Sequence, residues 1–118
     1  MTTVFVFPGQ GSQAIGMLAA LAAEYPEVEH SFAEASAALG YDLWQVTQKG
    51  PVERLNSTEC TQPAMLAAGI ATLRVWQRRG GPAPDAVAGH SLGEFSALVA
   101  AEALDFATAI DLVRWRGR

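Results

Sequence analysis

Short apolar runs alternate along this chain with longer stretches in which hydrophobic positions recur at helical spacing. Val4-Phe5-Val6-Phe7 is β-rich, ends at Pro8, and predicts a parallel strand buried on both faces. Met17–Glu24 reads as a short helix closed by Tyr25-Pro26. Pro26 then serves as the first-turn proline of a second helix, with Glu27 and Glu29 complementing its positive end. Val28, Phe32, Ala35 and Leu39 fall on one face of that helix, and Gly40 suits its C-cap. Tyr41–Thr47 and Pro51–Leu55 predict two further helical turns, separated at Gly50-Pro51. Asn56–Gln62 is polar and reads as a connection, after which Pro63 opens a long helix to about Arg79. Leu66, Ile70 and Leu73 recur along it, and its Ala/Gly content suggests close packing against a sheet. Gly80-Gly81-Pro82-Ala83-Pro84 ends that helix and leads into a second apolar strand before Ser91. Glu94–Ala103 is almost wholly apolar and predicts a buried helix. Asp105 caps the last helix, which turns Phe106, Ile110 and Val113 inward.

The order is α/β, with parallel strands flanked by helices. Two strands buried on both faces normally need further strands beside them. The helical pattern is also still running at Arg116-Gly117-Arg118. Residues 1–118 are therefore expected to be the N-terminal part of a larger domain.

Composition narrows the function. Half the residues are hydrophobic and 17% are charged, so the chain can bury a core and is not disordered. A net charge of −4, with Lys49 the only lysine, argues against nucleic acid as a partner. No apolar run approaches the length needed to cross a bilayer, and Met1-Thr2-Thr3 lacks the basic start of a signal peptide. Cys60 is the single cysteine, which suits a cytoplasmic protein and reads as a packing residue rather than a nucleophile. With two histidines and one cysteine there is no metal-ligand spacing. His30 lies off the apolar face of its helix and reads as a solvated side chain.

Two glycine-rich sites carry the candidate chemistry. Val87-Ala88-Gly89-His90-Ser91-Leu92-Gly93-Glu94 spells strand, Gly-x-Ser-x-Gly, helix. This is the arrangement of a nucleophile elbow, in which a crowded turn exposes a serine hydroxyl at a helix start. The N–H of Leu92 would lie near the helix N-terminus, where an oxyanion finds a donor and a favourable dipole. An ordinary strand-to-helix turn with a capping serine has the same spelling. The second site, Gly9-Gln10-Gly11-Ser12-Gln13, directly follows the first strand, where Gly9 and Gly11 would let backbone N–H groups approach a ligand. Gly9-x-Gly11-x-x-Ala14 also fits the dinucleotide fingerprint in its Gly/Ala form. That fingerprint requires a second strand ending in an acid, whereas Glu27 and Glu29 fall in a helical pattern.

Taken together, Phe7-Pro8-Gly9-Gln10-Gly11-Ser12-Gln13, Thr61-Gln62-Pro63-Ala64, Gly89-His90-Ser91-Leu92-Gly93-Glu94-Phe95-Ser96 and Arg116-Gly117 resemble the malonyl-CoA:acyl-carrier-protein transacylases in order and spacing. The resemblance covers the whole chain. It implies a partial α/β-hydrolase-like acyltransferase domain with parallel strands flanked by helices and a nucleophile elbow. Ser91 would take malonyl from malonyl-CoA as an ester and pass it to the phosphopantetheine thiol of holo acyl carrier protein, in fatty-acid biosynthesis. Backbone N–H groups of Gln10 and Leu92 would form the oxyanion hole. Arg116 would clamp the malonyl carboxylate, for which a planar, permanently charged guanidinium is suited, although a cation near a helix end is the structural alternative. Gln62 would lie in the pocket wall. No cofactor is implied, since the phosphopantetheine belongs to the partner, nor is a membrane. The complete enzyme is expected to be a monomer, and motifs close to Met1 suit a free-standing enzyme rather than a megasynthase module.

One part of the family pattern is missing. The serine needs a base, which in the family is a histidine from a later part of the domain. His30 and His90 are the only histidines, and His90 directly precedes Ser91, so its ring should be directed away from the hydroxyl. The expectation is that 1–118 ends before the small subdomain and catalytic His and is inactive alone. Two other readings differ in kind: a non-catalytic acyltransferase fragment or interaction module, and a serine esterase of α/β-hydrolase type. The esterase reading lacks an HGGG-type loop and leaves Arg116 without a purpose.

Overall fold

A computed structural model describes residues 2–118. The described residues form β1 (Val4–Phe7), α1 (Ala19–Glu24), α2 (Pro26–Leu39), α3 (Leu43–Lys49), α4 (Val52–Asn56), α5 (Thr58–Arg78), β2 (Ala86–Gly89), α6 (Leu92–Ala100) and α7 (Phe106–Arg116). The strands pair in parallel, Val4 with Ala86 through Phe7 with Gly89, so both chains leave the sheet at the same end. The loop after β1 and the turn after β2 are thereby brought side by side.

The long helix α5 is the centre of the molecule. It packs on α2, α6 and α7, and its Ala64, Leu66, Ala67 and Ala71 are fully buried. The apolar face foreseen on α2 is the one that meets it: Val28, Phe32 and Ala35 are buried, and Gly40 sits at the cap. Phe106, Ile110 and Val113 of α7 fill the same core, and Asp105 Oδ2 accepts the Thr108 N–H at 3.1 Å, capping the helix. Each fully buried side chain of this kind contributes roughly 1.5–3 kcal/mol. The small residues of α5 do bring it close to the sheet: a Cβ on Gly69 would lie 3.1 Å from the Phe7 ring.

Several elements depart from the sequence expectations. The strands are covered on one face among the described residues, not two. Phe7 is buried and Phe5 stacks edge-on against Trp76 of α5, whereas Val6, pointing the other way, is 75% exposed. The apolar run marked the strand, and the face bearing Val6 is uncovered among the described residues. Between β1 and α5 runs an apolar groove of about 440 Å³, lined by Phe5, Phe7, Met65, Leu73 and Trp76 among others.

Pro63 does not open α5. The helix starts at Thr58, and Pro63 lies inside it. The missing proline N–H leaves the Glu59 carbonyl without its helical donor, but the extra turn buries Cys60, Thr61 and Gln62. The Thr61 hydroxyl also reaches the carbonyls of Leu55 and of Ser57, the latter at 2.9 Å. Burial and those local bonds outweigh the proline's preference for the first turn. Helix α1 begins at Ala19, later than Met17, because Leu18 adopts a left-handed conformation (φ 64°) and Gly16 N–H is drawn to the Thr47 carbonyl at 2.8 Å. Asp42 caps α3 by accepting the Gln45 N–H, which moves its start from Tyr41 to Leu43. Helix α6 is half-buried rather than buried: Leu92, Ser96 and Ala97 face inward while Leu98 is exposed, and the helix stops at Ala100.

Candidate functional site

At the shared end of the two strands the backbone is crowded. Gly93, the second residue of α6, lies so close to the end of β1 that a Cβ there would overlap the Phe7 carbonyl, and one on Gly89 would overlap the Gly93 carbonyl. The link between strand and helix is the single step His90-Ser91. Ser91 carries the strain, at φ 56° and ψ −115°, a region that costs a non-glycine residue about 1–3 kcal/mol. Its side chain is exposed. The Gly93 and Glu94 N–H groups donate to the His90 and Ser91 carbonyls, each at 3.0 Å, which closes the turn.

The glycine loop passes directly alongside. A Cβ on Gly9 would lie 3.0 Å from the His90 carbonyl oxygen and 3.9 Å from Ser91 Cβ. The next residue, Gln10, directs its side-chain amide to Thr58 Oγ1 at 3.4 Å. Among the described residues no acceptor meets the backbone N–H of Gln10 or of Leu92. For Leu92 this follows from its place as first residue of α6, where N–H groups lack intrahelical partners. The Gly11 N–H, by contrast, donates to Gln13 Oε1 at 2.8 Å and is committed within the loop.

The third component comes from the end of α7. Arg116 donates through Nη1 to Gln62 Oε1 at 3.0 Å and through Nη2 to Ser91 Oγ at 2.8 Å. Its guanidinium carbon lies 5.7 Å from the centroid of the Phe95 ring, within cation–π range. Gln62 is buried on α5 while Arg116 and Ser91 are exposed, so the guanidinium bridges the core to the mouth of the site. The tip of α7 reaches this position because Gly117 lies against the Thr58 carbonyl and Arg118 Nε pairs with Glu59 at 3.3 Å.

Ser91, Gln62 and Arg116 are therefore one hydrogen-bonded cluster, with Gly9, Gln10 and Leu92 around it. Gly11 lies in the same loop with its N–H turned inward. Neither histidine hydrogen-bonds Ser91 among the described residues, and His30 is exposed on α2. Cys60 is a buried free thiol that accepts the Tyr41 hydroxyl at 3.5 Å. Burial and then that bond push the Tyr41 phenol well above its ordinary range. No helix among the described residues is long and apolar enough to cross a membrane. Gln13, quoted in the glycine-rich motif without a role, and Asn56, read as part of a polar connection, are joined through Gln13 Nε2 to Asn56 Oδ1 at 3.0 Å. Gln13 lies in an irregular loop and Asn56 at the end of a five-residue helix, so neither gave a periodic signal to read.

Beside the ends of the parallel strands lie a strained serine, two N–H groups without acceptors and the arginine at the tip of α7. The chain belongs to the acyl transferase domain family, whose pattern matches residues 4–118. Within it, the chain is 66% identical over 114 residues to the malonyl CoA-acyl carrier protein transacylase of Escherichia coli K12, a match covering 97% of this chain and 37% of that protein. The crystal structure of an acyl carrier protein S-malonyltransferase from Vibrio cholerae superposes with a TM-score of 0.97 at 60% identity, over 99% of this chain and 38% of that one. A malonyl-transacylase solved in complex with a holo type II polyketide-synthase acyl-carrier protein gives 0.97 at 61% identity, again over 99% and 38%. The chain thus spans well under half the length of these relatives.

Proposed function

We propose that this chain supplies the nucleophile, oxyanion donors and carboxylate clamp of a malonyl-CoA:acyl-carrier-protein transacylase of fatty-acid synthesis. Ser91 sits on a nucleophile elbow, and its Oγ attacks the thioester carbonyl of malonyl-CoA. The new bond is the seryl ester, the C–S bond breaks, and coenzyme A leaves as its thiol with a proton. The phosphopantetheine thiol of acyl carrier protein then attacks the ester, the C–O bond breaks and Ser91 recovers its proton. In both steps negative charge on the carbonyl oxygen is met by the N–H groups of Gln10 and Leu92, which have no other acceptor to compete for them. Gly9 allows the loop to lie against the serine turn, and Gly11 acts through loop shape.

The observation that carries this reading is the Arg116 guanidinium bridging Gln62 and Ser91. A single methylene separates the carboxylate of malonyl from its thioester carbonyl, so a fork adjoining the nucleophile can hold it while the carbonyl is attacked. A neutral ester would leave that charge unused, which disfavours the esterase reading.

Proton transfer needs a base, and neither histidine hydrogen-bonds Ser91 among the described residues. We place it, with the small subdomain, in the part of the domain that lies outside these 118 residues, and the isolated chain is accordingly inactive or nearly so in complete transfer. The test is malonyl transfer from malonyl-CoA to holo acyl carrier protein by the complete domain, with a neutral aryl ester as competitor. Transfer that disappears in Ser91→Ala is the expected result. Preferential turnover of the aryl ester would overturn the reading.

A further inference from the structure

We infer that Gln13 and Asn56 are positioning residues for the acylation of Ser91, a role that rests on the reading above. The segment from Pro8 to Leu18 contains no strand or helix, so backbone ladders cannot fix where Gln10 points its N–H. Its far end is held by Gly16 N–H on the Thr47 carbonyl at 2.8 Å and by Gln48 Nε2 on the Met17 carbonyl at 2.9 Å. Both anchors lie beyond the stretch that faces Ser91.

Gln13 supplies the missing one. Its amide has one accepting and one donating end, and each is used. The Gly11 N–H is a donor, so it requires the Oε1 end, at 2.8 Å. That leaves Nε2 to donate to Asn56 Oδ1 at 3.0 Å. Asn56 is the last residue of α4, one residue before the cap of α5, and Thr58 beyond it receives the Gln10 side chain. The α4–α5 junction also abuts the tip of α7, through Gly117 on Thr58 and Arg118 on Glu59. One short stretch, Asn56–Glu59, therefore sets the loop bearing the Gln10 N–H and the helix end bearing Arg116 against a common reference. Side chains that hold a reacting group's support in place act through geometry, and a displacement near 1 Å can cost up to about a hundredfold in rate.

The test uses the complete acyltransferase domain and follows Ser91 acylation by malonyl-CoA. Gln13→Met and Asn56→Ala are each expected to lower kcat about tenfold while leaving KM for malonyl-CoA unchanged. The double variant should lose no more than either single one, because one tether is cut in both cases. Asn56→Asp, which still accepts from Gln13, should restore the parental rate. Parental kcat in the single variants, or losses that multiply in the double one, would overturn the inference. If the parent domain never acylates, the proposed function falls and the positioning role with it. Amide exchange at Gly11 separates the two failures: it should quicken in Gln13→Met whatever the enzyme catalyses, and unchanged exchange would show that the tether itself is absent.

Discussion

Arg116 Nη2 lies 2.8 Å from Ser91 Oγ, although the two residues are 25 positions apart in sequence and neither is buried. The same guanidinium is steadied from below by buried Gln62. In the proposed reaction a malonyl carboxylate replaces the serine as partner of that fork. Arg116→Ala should therefore cost about 1.5–3 kcal/mol in kcat/KM for malonyl-CoA, roughly tenfold to a hundredfold, the range for hydrogen bonds to charged groups. Acetyl-CoA, which has no carboxylate, should gain relative to malonyl-CoA. Arg116→Lys should not restore the parental preference, since a point charge cannot span both partners. Steady-state kinetics with the two thioesters in the complete domain checks this, and an unchanged preference in Arg116→Ala would remove the clamp.

The turn itself can be tested by steric means. A methyl on Gly93 would overlap the Phe7 carbonyl, a backbone atom that cannot swing aside as a side chain does. Gly93→Ala should lower stability by about 1–3 kcal/mol, the usual cost of overpacking, and slow Ser91 labelling beyond what the stability loss explains. Denaturant unfolding beside a labelling time course separates the two effects.

Tyr41 gives a pH prediction. Its phenol is held above the ordinary value of 10.0 by burial first and by its bond to Cys60 second. The folded state therefore keeps the proton in a range where the unfolded chain releases it. The associated stability is fully present below about pH 10 and declines as pH rises from there toward the raised value. Tyr41→Phe should flatten the fall in unfolding free energy above pH 10, as measured by urea titration across that range. A slope identical to the parent's would mean that the phenol contributes nothing to it.

Much of this fold was legible as periodicity. The inward face of α2 and that of α7 were each spelled out by apolar positions, and Asp105 marked its helix start, because these features are local. Pro63 misled for a physical reason: the rule placing proline in a first turn weighs the backbone alone. The turn before Pro63 is held by burial of Cys60, Thr61 and Gln62, which only the tertiary structure reveals. Val6 and Leu98 are exposed among the described residues, because an apolar run reports what a segment can bury and not what lies beside it. At the site, the motifs indicated Ser91, Gln10, Gln62 and Arg116 as candidates. The hydrogen bonds joining Arg116 to Gln62 and Ser91, and Gln13 to Asn56, depend on side-chain directions that spacing does not encode.

The most direct test of the account is the intact mass of the complete domain before and after brief exposure to malonyl-CoA, followed by peptide mapping. One malonyl adduct is expected, located on Ser91, absent in Ser91→Ala and discharged by holo acyl carrier protein. The 118-residue chain treated in the same way should acquire little or none. A folded, complete domain that takes up no malonyl, or that carries it on another residue, would contradict the assignment of Ser91 as the nucleophile.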